Sequence, residues 1–278
     1  MVADAAEQAS LRLAPPELAV SPVEFRRPDG TSVFRPKHST EFSSDTLLSA
    51  EDRLLTRARA TTGPSIDLAT VETITSKPDA EGRVLGPDQA AALASVAVSG
   101  RVVDVLVGPA GAGKTTAMNA LRRAWEASHG TGSVVGLAPS AVAAQVLADD
   151  LGIATENTAK WWTTRQCTGA SFKAGQLVII DEASLAGTLS LDRITQAAEE
   201  AGAKVLLVGD YAQLQSVDAG GCSACWSTTV TMLPSWSMST ASCMLGRRPR
   251  PWNCGTAALR SSTPTWHRIA SMTVTPRS

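Results

Sequence analysis

Residues 102–116 read VVDVLVGPAGAGKTT, and the chain runs on as AMNALRRAWEA. An apolar run, a glycine-rich turn and a helix-forming segment follow one another without a gap. The turn fits G-x-x-x-x-G-K-[ST] through Gly108, Gly113, Lys114 and Thr115. Gly108, Gly111 and Gly113 let the backbone curl so that its N–H groups face a phosphate, and the following helix adds its positive N-terminus. Pro109, Ala110 and Ala112 lie between them, and Thr116 follows, so the whole cradle is 108–116. In it Lys114 would bridge the β- and γ-phosphates of ATP, and the Thr115 hydroxyl would bind Mg²⁺. A Gly/Ala-rich turn that merely matches is the alternative. The run before it and the helix after it argue against that.

The rest of the middle of the chain repeats this alternation. SVVGLA (133–138), LVIID (177–181) and KVLLVGD (204–210) are apolar runs. Helix patterns separate them, one ending at Gly152 and one at Gly202. Continuous apolar strands alternating with helices predict an α/β fold, a parallel sheet covered on both faces. Sites in such sheets lie at the carboxyl ends of the strands. Asp181 ends the third run and suits Mg²⁺ through water. Glu182 beside it would polarise an attacking water. Asp210 and Gln213 follow the fourth run and would sense the γ-phosphate or position the water. Gln89, ahead of the first run, would read an adenine edge with its amide, or simply start a helix. Trp161 and Trp162 would stack on bases, but buried packing is the stronger expectation for them.

The flanks differ from this core. Residues 1–83 are polar and Pro-containing, and read as a linker or small appendage. In it Pro28-Asp29-Gly30 makes a turn. SSDTLLSAEDRLLTRARA makes an amphipathic helix, capped by Ser44 or Asp45, with Leu47, Leu48, Leu54 and Leu55 on its apolar side. Residues 1–221 carry all 26 acidic residues and 19 of the 25 Lys and Arg, whereas 222–278 carry six Arg and no acid. That tail also holds four of the five Cys, four of the seven Trp and four of the six Met. No apolar run is long enough to span a membrane, and the first residues lack a basic-then-apolar leader. The expectation is a cytoplasmic protein with no membrane partner.

Taken together, PDQAAAL, GPAGAGKTT, LAPSAVAAQVL, LVIIDEAS and VGDYAQLQSVDAGG resemble a RecD-like superfamily 1 DNA helicase. More narrowly they are similar to the helicase part of MobF-type, TrwC-like conjugative relaxases. The resemblance is specific over 84–221, and LAVSPVEFRRPDGTSVFRPKHST is similar to the segment before that core. It implies a RecA-like P-loop NTPase domain over 84–221, with Gln89 on adenine and Lys114 and Thr115 on MgATP. Asp181 would hold the metal, Glu182 the water, and Gln213 would couple the γ-phosphate to DNA. Pro139 and Ser140 would touch single-stranded DNA, the partner of the intact parent. A different class of P-loop ATPase would need another sensor than GDYAQLQSV. The departures are as informative. Relaxase chemistry needs nicking tyrosines and a histidine cluster, but the only Tyr is Tyr211, and His38, His129 and His267 are scattered. Nothing after Gly221 resembles the second RecA-like domain that such a helicase closes over ATP.

A shifted reading frame would account for the tail. Codons built from the last base of one residue and the first two of the next turn Cys225-Trp226 into Leu. In the same way Trp252-Asn253 gives Glu, Asn253-Cys254 gives Leu and Trp266-His267 gives Ala. From Ala224 onward an acidic, helix-compatible sequence is permitted at every step. Residues 222–278 are therefore expected to be out of frame and disordered. The competing tail readings are weaker. A zinc module would use Cys222, Cys225, Cys243, Cys254 or His267 without a second C-x-x-C, so no zinc is expected. A basic nucleic-acid tail would have no Lys and no element to present its Arg. The expected function is the MgATP-binding, ATP-hydrolysing first motor domain of a conjugative helicase, incomplete and unable to unwind or nick DNA. The alternative is a nucleotide-binding remnant without catalysis.

Overall fold

The computed structural model describes residues 9–13, 21–28, 30–34, 42–79, 82–109 and 111–209. All of them lie in the first of two compact units, Met1–Thr240.

The described chain begins with a two-residue antiparallel pair, β1 (Leu11–Arg12) and β2 (Phe42–Ser43). Between them Arg26 bridges Ser32 across the expected turn, where Gly30 takes φ 79°. Three helices follow: α1 (Asp45–Arg59), α2 (Leu68–Thr75) and α3 (Pro87–Val98). Ser44, not Asp45, caps α1, its hydroxyl accepting the Leu47 N–H at 3.2 Å. Asp45 instead lies in the first turn, where its charge suits the helix dipole. Then β3 (Val103–Val107), α4 (Lys114–His129), β4 (Val134–Ala138), α5 (Ala141–Leu151), β5 (Ala154–Asn157) and α6 (Thr158–Thr168) alternate. Finally β6 (Leu177–Ile180), α7 (Thr188–Ala201) and β7 (Lys204–Gly209) complete the described chain.

The five long strands form one parallel sheet in the order β3-β7-β6-β4-β5. This is the expected α/β class, with helices on both faces. Successive side chains in a strand point to opposite faces. Accordingly Leu177, Ile179, Leu206 and Val208 join α2, α3, α4 and α5 in one core, around the fully buried Trp125. Val178, Ile180, Val205 and Leu207 join α1 and α7 in the other. That is why β6, and β7 beyond Lys204, are apolar. The fifth strand, β5, was not among the apolar runs. It is Ala-Thr-Glu-Asn at the sheet edge and only partly buried, so edge position replaces apolar character.

Helix α1 lies in the segment read as an appendage, yet it supplies Leu54 and Ala58 to the second core. Its guanidinium groups fix it to α7. Arg57 donates to Asp192 at 2.6 Å and to Glu199 at 2.9 Å, and Arg53 reaches Asp192 at 2.7 Å. Arg57 and Asp192 are both buried. Burial pushes the Asp192 carboxyl up, but the hydrogen bonds and charges of Arg53 and Arg57 outweigh it and hold it below the ordinary carboxylate value.

The tryptophans meet the packing expectation only in part. Trp161 and Trp162 are only half-buried, and α6 buries no residue at all. Helix α6 lies at the sheet edge, and Trp161, though only partly buried, packs with Phe172 against the second core. Trp161 stacks on Phe172 with centroids 4.7 Å apart, and the Arg193 guanidinium lies 5.1 Å over the Trp162 ring.

Candidate functional site

The parallel registers bring the carboxyl ends of the strands into one row. Val107 pairs with Gly209, Ile180 with Leu207 and with Leu137, and Ala138 with Asn157. The chain therefore leaves the sheet along one rim at Gly108, Asp181, Pro139 and Thr158. Two backbone bonds tie that rim together: Gly108 N–H to the Gly209 carbonyl at 3.2 Å, and Asp181 N–H to the Leu137 carbonyl at 3.0 Å.

The glycine loop takes the curled form its sequence predicts. Gly111 has φ 75° and Gly113 φ 78°, both left-handed, and Gly113 caps α4 so that Lys114 is the first helical residue. A side chain is cheap at neither position on backbone grounds alone. The Lys114 ammonium folds back over the loop, donating to the carbonyls of Gly108 at 2.6 Å and Pro109 at 3.2 Å. Thr115 and Thr116 lie in the first turn of α4, both half-buried. Gln89, three residues after the N-cap of α3, reaches the same loop, with its Nε2 donating to the Ala112 carbonyl at 2.8 Å. Its Oε1 accepts the Gly86 N–H at 3.0 Å.

Asp181 and Glu182 lie two strands away from Gly108, across β7, or about 10 Å at the usual strand spacing. Burial raises the Asp181 carboxyl above its ordinary value, against the pull of the Glu182 N–H bond (2.9 Å) and of the Lys114 charge. A carboxylate raised this way is one that a cation would favour. Glu182 has φ 50°, the one described residue other than glycine with a left-handed backbone. Such conformations cluster at functional sites. Pro139 and Ser140 follow β4. The Ser140 hydroxyl caps α5 by accepting the Ala143 N–H at 3.0 Å, and Ser140 is exposed.

Two groups were not singled out from the sequence. Ser184 is buried beneath the end of β7, against Gly209, and its hydroxyl has no hydrogen-bond partner among the described residues. A polar residue closing DEAS was the available signal. The second is a cavity of about 130 Å³ beside the loop, lined by Lys77, Arg83, Leu85, Thr116, Asn119 and Arg123. Thr116, Asn119 and Arg123 recur at three- and four-residue spacing on one face of α4, a pattern that the sequence contains. Ala110, Asp210 and Gln213 lie outside the described residues, as do the tail cysteines and His267. Among the described residues no three His, Cys, Asp or Glu side chains gather to hold a metal, and no helix is long and apolar enough to cross a membrane.

The residues fit a magnesium–nucleotide group. The loop is a glycine cradle, with a lysine at its helix end. The partly desolvated carboxyl of Asp181 lies within reach of that lysine's charge. Residues 84–232 match the AAA domain family. This chain belongs to that family. The matched region of the AAA domain begins at residue 84 and runs past Gly221. The chain is also 37% identical over 136 residues to "Probable conjugal transfer protein TraA" of Sinorhizobium fredii. It is 38% identical over 138 residues to "Conjugal transfer protein TraA" of Rhizobium radiobacter. Each alignment covers 49% of this chain and 12% of the relative, so the chain spans a small part of those proteins. Among solved structures, the UvsW helicase of bacteriophage T4 aligns at TM-score 0.40 and 14% identity, over 54% of this chain and 62% of that one.

Proposed function

We propose that this AAA domain is the first nucleotide-binding motor domain of a conjugative DNA helicase of the RecD-like type, spanning residues 84–221 with support from α1 and α2. The observation that carries the reading is Lys114 opening α4 directly behind a left-handed glycine cradle, with its charge felt by Asp181 at the end of β6. In this reading the loop amides of 108–116 and Lys114 hold the phosphates of ATP. Thr115 and Asp181 hold Mg²⁺, which supplies charge neutralisation at the γ-phosphate when bound. Glu182 accepts the proton of the attacking water. Asp210 and Gln213 read the γ-phosphate. Pro139 and Ser140, on the same rim, contact single-stranded DNA. The similarity to conjugal transfer proteins TraA supports the conjugative assignment.

The activity assigned to the chain itself is MgATP binding with slow hydrolysis and no unwinding. Residues 222–278 belong to the same reading as a shifted frame, since charge and composition change abruptly at Gly221. Thermal-shift titration tests the nucleotide site. MgATP at a hundred times its Kd stabilises a folded site by about 2.7 kcal/mol, and Lys114→Ala should abolish that shift. Strand displacement by the purified chain, lost in Lys114→Ala, would overturn the limit on unwinding. Nucleotide sequence across codon 222 tests the frame: an unbroken frame with no helicase-like alternative downstream removes that part of the proposal.

A further inference from the structure

The resemblance gives Gln89 to the adenine ring, but the geometry points to another task. We propose that Gln89 is a positioning residue that braces the phosphate loop, independent of the base bound. The proposal rests on the reading of residues 108–116 as a phosphate cradle.

Both ends of the Gln89 amide are engaged by the protein. Oε1 accepts from Gly86 N–H at 3.0 Å and Nε2 donates to the Ala112 carbonyl at 2.8 Å. These partners fix the amide's orientation, because a flip would set oxygen against oxygen and N–H against N–H. The brace therefore runs from the N-terminus of α3, through one side chain, to the peptide joining Ala112 and Gly113. A trans peptide is planar, with its carbonyl and its N–H pointing in opposite directions. Holding the Ala112 carbonyl toward α3 thus aims the Gly113 N–H away from α3. That N–H is one of the cradle's donors, immediately ahead of Lys114. The fit is close: a Cβ on Gly113 would lie 2.9 Å from Gln89 Nε2. Gly113 is required by its φ of 78°, and a Cβ there would also push the Gln89 amide off the Ala112 carbonyl.

A brace and a base reader respond differently to loss of the amide. Gln89→Met removes both contacts without adding charge. Gln89→Glu keeps an acceptor for Gly86 N–H but sets a carboxylate against the Ala112 carbonyl. Calorimetric titration with Mg²⁺ and ATP, GTP or inorganic tripolyphosphate separates the cases. The brace predicts that both variants lose about tenfold in affinity for all three probes, the size of one well-made hydrogen bond. The ATP-to-GTP ratio stays at the wild-type value. Hydrogen exchange of the free protein supplies a second readout: amides 111–114 exchange faster in Gln89→Met, while α4 beyond Ala120 is unchanged. If Gln89→Met does not fold, Gln89→Glu carries the same test. Wild-type tripolyphosphate affinity in either variant, with ATP affinity reduced, overturns the brace and returns Gln89 to the base. If wild-type protein binds neither ATP nor tripolyphosphate, the nucleotide-site reading fails, and loop exchange alone then decides whether the brace exists.

Discussion

At the scale of single residues, the site combines a strained backbone with a carboxyl that the fold disfavours in its charged form. Glu182 is held left-handed beside Asp181. If it takes the proton of the attacking water, Glu182→Gln leaves the fold and the nucleotide affinity in place and lowers kcat by about 10²–10⁴. Steady-state hydrolysis beside equilibrium binding checks the split. Asp181 has its pKa raised in the folded chain, chiefly by burial. A raised carboxyl binds its proton more tightly in the folded state, so its contribution to stability falls as pH rises from the ordinary value of 3.8 through the folded one. At neutral pH the charged group is therefore a liability until a cation joins it. Asp181→Asn should raise the melting temperature of the nucleotide-free protein by about 2 °C at pH 7. It should also remove the difference between ATP binding with Mg²⁺ and with EDTA. The loop was legible in the sequence because spacing alone defines it. The contacts of Gln89 and the buried, unpartnered hydroxyl of Ser184 were not, because a backbone carbonyl met at 2.8 Å or a missing partner leaves no trace in residue order.

At the scale of elements, the apolar runs identified four of the five sheet strands to within a residue at each end. β5 escaped because an edge strand need not be apolar. The strand order escaped too, since periodicity says which segments are strands but not which neighbours they choose. Helix α1 was legible as a helix but not as part of the core. Its attachment to α7 depends on Arg57 and Asp192, two buried charges that satisfy each other. Removing one partner of a buried pair typically costs about 3–5 kcal/mol. Asp192→Ala should fall in that range by urea denaturation, with α1 amides losing the most exchange protection. Asp192 is held below its ordinary pKa, so its contribution is complete above 3.8 and is lost as pH falls through the lower folded value. Acidification below pH 4 should therefore loosen α1 in wild type and change little in Asp192→Ala. A second buried pair, Lys204 with Asp104 at 2.7 Å, joins β7 to β3 at the opposite end of the sheet from the loop. Burial lowers the Lys204 pKa, with Asp104 opposing it.

At the scale of the molecule, the unit that folds extends further toward the N-terminus than the motifs do. Val71 of α2 and Leu54 of α1 are buried in the two cores, on opposite faces of the sheet. A chain beginning at residue 84 exposes apolar surface on both faces at once. Such a chain should be recovered mainly as aggregate, whereas one beginning at residue 42 should melt within a few degrees of the full-length protein. Sedimentation and circular dichroism distinguish the two. Sequence motifs mark the candidate site, which occupies one rim; the stabilising contacts are spread over both faces and carry no motif. The strand order also has a consequence in time. β7 lies between β3 and β6, and neither of those strands pairs with the other. Until residues 204–209 leave the ribosome, the chain lacks the strand that links β3 to the β6-β4-β5 piece. The last described strand is therefore the one on which the sheet's continuity depends, and the Gly108 and Asp181 sides of the rim belong to one sheet only through it.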